Sequence, residues 1–594
     1  MKKTQIADYA LIGDTETAAL VSKTGSIDWL CWPDFSSPAC FAALLGDASN
    51  GRWLLCPERP FTSRRSYRPH GLILETIFTT RAGKVLVTDF MPIRGRNSDV
   101  IRLVRGLSGT VSMKMELTLR FDFGRTIPWV QQGRARSYTA TAGPGKVYLR
   151  TPAALRLEKG DMVALFEVKR GQTVPFVLTH ASSFDRPPRP VNPELAFKQT
   201  ERFWTTWCAR NKYRGKWAAQ VERSLITLKA LTYRPTGGIV AAPTTSLPEK
   251  RRGALNWDYR YCWLRDATFT LLALLNAGYP DEAIAWGEWL LRAVAGDAAQ
   301  TQILYGLRGE RQIAEIRIPW LKGYDKSTPV RVGNAAALQF QLDIYGELAD
   351  AFYQSLRAGL HGPLRGAELQ QNLVLHLQKV WQMPDQGIWE ERGKPQQFVC
   401  SKVMAWVAVD RMIHSVELHA LKAKAAYMEQ WRTLRQEIHD QVCSKGYNRK
   451  HNSFTVYYGA QSVDASLLLL PLVGFLPGDD PRILGTIQRI KRELMTGGLL
   501  KRNRPRNKSE RQGAFLACSF WLVQAMAIAG QKQDADRMFR KLVRLPNDVG
   551  LLSEEYSTQT RQLTGNFPQA LSHIALVNAA FSLDGKGQHR HHHE

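Results

Sequence analysis

Near residue 215 the spacing of hydrophobic residues changes from every second position to a period of 3.6. A chain with two periods has to build two kinds of layer, strands first and helices after. Before the change, Leu72 to Thr80 and Val85 to Met91 are β-rich runs around a turn at Ala82-Gly83-Lys84, the pattern of a hairpin. Residues 100–121 continue the alternation with a turn expected at Ser108-Gly109, and 162–180 add two strands about Arg170-Gly171. Short strands with regularly spaced turns predict an antiparallel β-sandwich over residues 1–185. The run Arg186-Pro187-Pro188-Arg189-Pro190 reads as a semi-rigid linker. A helix from Pro193 to Arg210 extends it to residue 215, with Phe203, Trp204 and Trp207 available to dock.

Beyond Lys216 the pattern predicts twelve helices, near 216–232, 266–278, 281–296, 333–358, 365–381, 398–418, 421–441, 463–470, 480–494, 512–529, 531–544 and 569–584. Short and long connections alternate between them, which suggests six helical hairpins closed into a toroid, an (α/α)6 barrel over residues 216–585. The expected fold class is therefore multidomain β + α. The long loops, 233–265, 297–332, 382–397, 495–511 and 545–568, would share one end of that barrel. Loops on a rigid scaffold are where sites are usually found. The histidine-rich stretch 586–594 is read as a disordered tail outside the fold.

Several function classes are excluded. No apolar stretch approaches the ~20 residues that span a bilayer, and Asp8, Asp14 and Glu16 interrupt what would be the apolar part of a secretory signal. The eight cysteines form no CxxC pair, and no histidine stands at a zinc-finger offset from them. They read as buried thiols of a reducing, cytoplasmic compartment. No HExxH or similar metal signature is present, and the chemistry read from the long-loop motifs needs neither metal nor organic cofactor. The net charge of +27 is large, but the basic residues are spread along the chain, with denser patches at Arg186 to Arg189 and Lys501 to Lys508. No nucleic-acid-binding motif accompanies them, so neither nucleic acid nor a membrane is expected as a partner. Exposed barrel faces leave room for a homo-oligomer.

The chemistry-bearing motifs lie in the long loops. Residues 255–266, Leu-Asn-Trp-Asp-Tyr-Arg-Tyr-Cys-Trp-Leu-Arg-Asp, mix four aromatic with four charged side chains. A sugar site needs that mixture: aromatic faces stack on a pyranose, while Arg and Asp grip its hydroxyls. Asp266 equally suits a helix N-cap. In the second loop Trp320, Lys322 and Arg331 could line a subsite, whereas Gly333-Asn334 could be a plain helix start. The third loop holds Trp389-Glu390-Glu391. A Glu beside Trp in a partly apolar pocket would stay protonated near neutral pH and suit a general acid. The last holds Ser553-Glu554-Glu555-Tyr556, where an ionised Glu in polar surroundings would suit a general base. Paired carboxyls in an aromatic pocket are what glycosidic cleavage requires.

Taken together, Tyr261-Cys262-Trp263-Leu264-Arg265-Asp266, Trp389-Glu390-Glu391, Ser553-Glu554-Glu555 and Gly565-Asn566-Phe567-Pro568-Gln569-Ala570 resemble glycoside hydrolase family 15, the family of glucoamylases, glucodextranases and prokaryotic trehalases. The segments Ile6 to Asp14 and Gly25 to Pro33 look like the trehalase-like N-terminal domain of bacterial members. The resemblance implies an inverting, exo-acting α-glucoside hydrolase that releases β-glucose from a small oligosaccharide or disaccharide. Glu390 would be the acid and Glu554 the base, their carboxyls ~6.5–9.5 Å apart. Tyr259, Trp263, Arg265, Asp266, Trp389, Glu391 and Glu555 would surround the glucosyl unit, with Tyr259 near the catalytic water. The sequence departs from the family at Gln512, where bacterial members often have Glu, in the basic run Lys501 to Arg506, and in the lack of a Trp around Asp325 to Thr328. These departures leave the substrate open among trehalose, maltooligosaccharides, isomaltooligosaccharides and an anionic glycoside. A glucosyltransferase and a non-catalytic carbohydrate-binding protein are the rival readings.

Overall fold

The structure is a computed structural model that describes residues 4–133, 137–360, 365–418, 421–504 and 513–585. Pro505, Arg506 and Lys508 of the basic loop, Gln512 and the histidine tail lie outside the described residues.

The first part is a 15-stranded sheet running from Tyr9 to Ser182. It is organised around one long strand, Ser98–Thr118, in which Val100, Val104, Val111, Met113, Met115 and Leu117 are buried. On the other face, Glu116 pairs with Arg52 at 2.6 Å. From Val111 to Leu117 this is the period-two alternation expected of a strand with one face in a core, whereas Val100, Ile101 and Arg102 are buried in succession. The turn expected at Ser108-Gly109 is absent, and the chain runs straight through it. The glycines serve a different purpose. A Cβ at Gly106 would stand 2.2 Å from the carbonyl oxygen of Lys169, and one at Gly109 2.0 Å from that of Ala82. They let neighbouring backbones close in rather than reverse the chain. The strands on either side of Arg170-Gly171, Asp161–Lys169 and Thr173–Ser182, each pair with one half of the long strand and not with each other.

The prolines at 187–190 carry no regular structure, and helix α1 (Pro193–Cys208) follows, its N-terminus capped by Asn192. Its Trp204 and Trp207 are buried, Trp207 stacking on Tyr279 at 4.1 Å. The helical part comprises α2 (Ala218–Ala230), α3 (Leu264–Ala277), α4 (Pro280–Val294), α5 (Asp343–Arg357), α6 (Arg365–Val380), α7 (Val399–Glu417), α8 (Ala425–Lys445), α9 (Leu469–Leu472), α10 (Pro481–Leu494), α11 (Leu516–Ile528), α12 (Lys532–Leu542) and α13 (Ala570–Leu583). Helices α3, α5, α7, α9, α11 and α13 touch in succession, and α13 returns to α3, closing a ring. The intervening helices pack against its members. Side-chain burial follows this placement: α11 is buried from Leu516 to Met526, whereas α12 buries only Ala535, Met538, Phe539 and Leu542.

Two expected helices are shortened: of 463–470 only the C-terminal end is α-helical, in α9, after a 3₁₀ turn at Ala465–Leu468. The part of 333–358 before Asp343 is not α-helical, because Arg331–Val332 pair with Ile316–Arg317 and Gly333 takes φ +78°. A Cβ at Gly333 would lie 1.9 Å from the carbonyl oxygen of Ala314. Among the described residues, no helix is long and apolar enough to cross a membrane.

Candidate active site

Between α2 and α3, residues 256–261 alternate between buried and half-buried, so neighbouring side chains point in opposite directions. Trp257 and Tyr259 face a cavity of about 380 Å³, while Asp258 and Arg260 are fully buried on the other side. The same cavity is lined by Trp263, Arg265 and Asp266 at the start of α3, by Trp389, Glu390 and Glu391, and by Glu249 and Arg502. With Asn334 and Gln569, which also line it, five separate connections meet at one end of the ring of helices.

Glu390 has φ +57°, a left-handed conformation that a non-glycine residue adopts at a cost. Its carboxylate accepts a hydrogen bond from Trp263 Nε1 at 2.6 Å and lies 3.5 Å from Arg265 Nη1. Arg265 also donates to the carbonyl of Ile388 at 2.5 Å, tying the loop that carries Glu390 to α3. The apolar neighbour expected for Glu390 was Trp389, but that indole turns away. Its Nε1 donates to Asp464 at 2.8 Å and its ring packs on Trp521 and Phe515. Glu390 therefore sits in a hydrogen-bonding, positively charged corner rather than an apolar one. Asp266 is not an N-cap. It lies inside the first turn of α3, and Arg265 Nε stands 3.3 Å from its carboxyl.

Glu554 and Glu555 are fully buried behind the cavity wall rather than on it. Tyr259 makes the connection, donating its hydroxyl to Glu554 Oε1 at 2.6 Å. The other carboxyl oxygen of Glu554 receives the backbone N–H of Asn566 at 3.3 Å. A Cβ at Gly565, whose φ is +76°, would stand 2.5 Å from that oxygen, so only glycine leaves room for the carboxyl. Glu555 accepts the N–H of Gly513 at 2.8 Å and lies 3.3 Å from Arg502 Nη2, which also pairs with Glu249. Glu249 and Glu555 share one guanidinium here, and Glu554 lies within its field. Burial first, and the charge of Glu249 second, push Glu554 up to about 8. The same causes raise Glu555, and burial raises Glu249 despite Arg502. The sequence reading of an ionised Glu554 in polar surroundings is thereby corrected: the cluster favours holding a proton.

Three further expectations are corrected. Trp320 and Lys322 do not line the cavity; they join the loop to the sheet. Trp320 Nε1 donates to the carbonyl of Phe123 at 3.0 Å under the guanidinium of Arg125, and Lys322 pairs with Asp47 at 3.3 Å. A loop this long folds back far enough to reach the other part of the molecule. Arg331 also misses the cavity wall. It stacks on Trp257 at 4.6 Å, with Arg392 at 4.3 Å on the same ring, and Glu315 pairs with both guanidiniums. Sequence reasoning missed Glu249 and treated Arg502 only as part of a basic run. The two lie 253 residues apart, and nothing local marks Glu249 as one of a pair. Among the described residues, no cluster of His, Cys, Asp and Glu could hold a metal ion.

Residues 216–581 match the family model of glycosyl hydrolases family 15, and residues 1–152 that of the trehalase-like N-terminal domain. The chain is 37% identical to a trehalase of Mycobacterium tuberculosis, over 97% of this chain and 89% of that one. It is 31% identical to a trehalase of Thermoplasma volcanium, over 98% and 94% respectively. A bacterial glucoamylase complexed with acarbose shares the fold at a TM-score of 0.72 and 13% identity, covering 98% of this chain and 94% of that one.

Proposed function

The chain belongs to glycosyl hydrolases family 15 and is a glycoside hydrolase, and from that premise we propose that it cleaves trehalose with inversion, releasing β-glucose. The observation that carries this reading is that one cavity presents both the carboxyl of Glu390 and the Tyr259 hydroxyl bonded to Glu554. In the reaction, Glu390 gives its proton to the glycosidic oxygen as the bond from that oxygen to the anomeric carbon breaks. A water on the opposite face of the sugar attacks the anomeric carbon, and Glu554 takes the proton that water loses. Burial makes Glu554 a stronger base, and a base whose pKa lies near the operating pH is the effective one. Arg265, Asp266 and Glu391 grip the hydroxyls of the glucosyl unit, with Trp263 against its face. A cavity of about 380 Å³ suits a disaccharide or the end of a chain, which supports exo action. Relatives named trehalase that match nearly the whole chain support trehalose over a longer glucan. In this reading the ring of helices and those packed on it form the (α/α)6 barrel, and the sheet forms the β-sandwich.

Proton NMR of a fresh reaction with trehalose tests both parts. Equal early amounts of β- and α-glucose are expected, since inversion turns one half of the substrate into β-glucose and releases the other as α-glucose. An early product that is all α-glucose refutes inversion. No turnover of trehalose alongside turnover of maltotriose or isomaltose refutes the substrate.

A further inference from the structure

The two halves of the active site rest on different parts of the molecule. The loop that carries Glu390 is held from within the helical part. Its partners are Arg265 on Ile388, Asp464 on Trp389, Phe340 on Gln386 and Leu342 on Asp385. These partners, and Trp263 on Glu390, all belong to the helical part. The segments on the base side are bonded within the helical part too, as Ser572 Oγ is to the carbonyl of Ser553 at 2.8 Å, but they also reach the sheet. Trp29 Nε1 donates at 2.7 Å to the carbonyl of Pro243, in the segment that leads to Glu249. Arg260 is fully buried: its Nε and Nη2 clasp Asp258 at 2.9 and 2.6 Å, and its Nη1 crosses to the carbonyl of Ser37 at 2.8 Å. Its guanidinium also lies over Phe123, 5.2 Å from the ring centre. Tyr259, the donor to Glu554, stands between those two residues. The turn before Glu554 is pinned as well. Asn547 Nδ2 donates to the carbonyl of Tyr9 at 2.7 Å, while Asp548 accepts Arg65 Nη2 at 2.8 Å and Arg65 Nε at 3.1 Å. Asn547 Oδ1 in turn accepts the N–H groups of Val549 and Leu551.

We propose that the sheet domain is a positioning element for the base half of the reaction, acting through Arg260 on Tyr259 and through the Arg65–Asp548 pair on the segment of Glu554. The loop that carries Glu390 has its own supports within the helical part. This rests on the assignment of Glu554 as base and Glu390 as acid. An extended segment has one side for the substrate and one for its support, and here that support is the other domain. Tyr259 can hold Glu554 only if the backbone on each side of it is fixed, and the Asp258–Arg260 clasp, locked onto Ser37 and Phe35, fixes it. Misplacing a reacting group by about 1 Å costs on the order of 10²-fold in rate.

The experiment compares two substrates in the full-length enzyme. α-Glucosyl fluoride needs no proton on its leaving group, so damage to the acid is masked with it, while damage to the base is not. Arg260→Lys keeps the charge but loses the fork. It is expected to lower kcat on the order of 10²-fold, equally on trehalose and on α-glucosyl fluoride, with KM nearly unchanged. Asp548→Asn, at a half-exposed edge of the interface, should shift both substrates in the same direction by less, and it carries the test if Arg260→Lys does not fold. Glu390→Gln is the contrast, losing most on trehalose and recovering on the fluoride. The proposal is overturned if the loss in Arg260→Lys or Asp548→Asn recovers on the fluoride, appears only in KM, or does not occur. If Glu554→Gln itself recovers on the fluoride, the base assignment fails first and the proposal falls with it.

Discussion

Replacing Tyr259 with Phe removes a single hydroxyl and leaves the ring against Trp263, 5.3 Å between centres. That hydroxyl donates to Glu554 Oε1 at 2.6 Å, within the range of a hydrogen bond to a charged oxygen. The bond favours the ionised carboxylate and so lowers the pKa of Glu554, against the burial that raises it. A bond to a charged group contributes about 1.5–3 kcal/mol net. At about 1.4 kcal/mol per pKa unit, its loss should raise the pKa of the base by about one to two units. The base must be ionised to accept a proton from water, so the acidic limb of kcat/KM should move to higher pH by that amount. The limb belongs to the cluster of Glu249, Glu554 and Glu555 as a whole, because their protons are shared. The assay is kcat/KM for trehalose across the pH range in which wild type and variant stay folded, with activity above the limb as the internal reference. A limb that stays in place, or moves to lower pH, refutes the argument that Tyr259 sets the basicity of Glu554.

Two more outcomes follow from the same geometry. Glu249→Gln removes the negative neighbour that raises Glu554, so the acidic limb should shift to lower pH with activity kept at its plateau; complete loss of activity would hand the base role to Glu249 instead. Trp320→Ala should leave KM for trehalose unchanged while lowering thermal stability by about 2 kcal/mol, from one hydrogen bond and one cation–π contact, and a raised KM with unchanged melting would put Trp320 back in the substrate site.

The residues that were legible from sequence are those whose signal is local. The change of period near residue 215 separates strands from helices because burial of one face imposes its own repeat on each kind of element. The stretch from Trp257 to Asp266 reveals itself by composition, since a connector has no other use for so many aromatics and charges side by side. All of Tyr259, Trp263, Arg265, Asp266, Trp389, Glu390 and Glu391 reach the cavity wall. What could not be read depends on partners far away in the chain. Trp320 and Lys322 carry the composition of a sugar subsite, yet their loop folds back onto Phe123 and Asp47, and a loop's destination is not written in its own residues. Ser108-Gly109 looks like a turn from its neighbours, but the glycine is required by the backbone that approaches it.

The chain alone therefore determines which residues are equipped for the chemistry: two acidic doublets, an aromatic-charged segment and two hydrophobic periods. Only the tertiary structure decides their electrical state and their support. Burial and the charge of Glu249 raise Glu554 against the opposing charge of Arg502, and its carboxyl meets a hydroxyl that stands between Asp258 and Arg260. Electrostatic energies depend on distance and on the exclusion of water, and both are properties of the folded arrangement rather than of any segment within it.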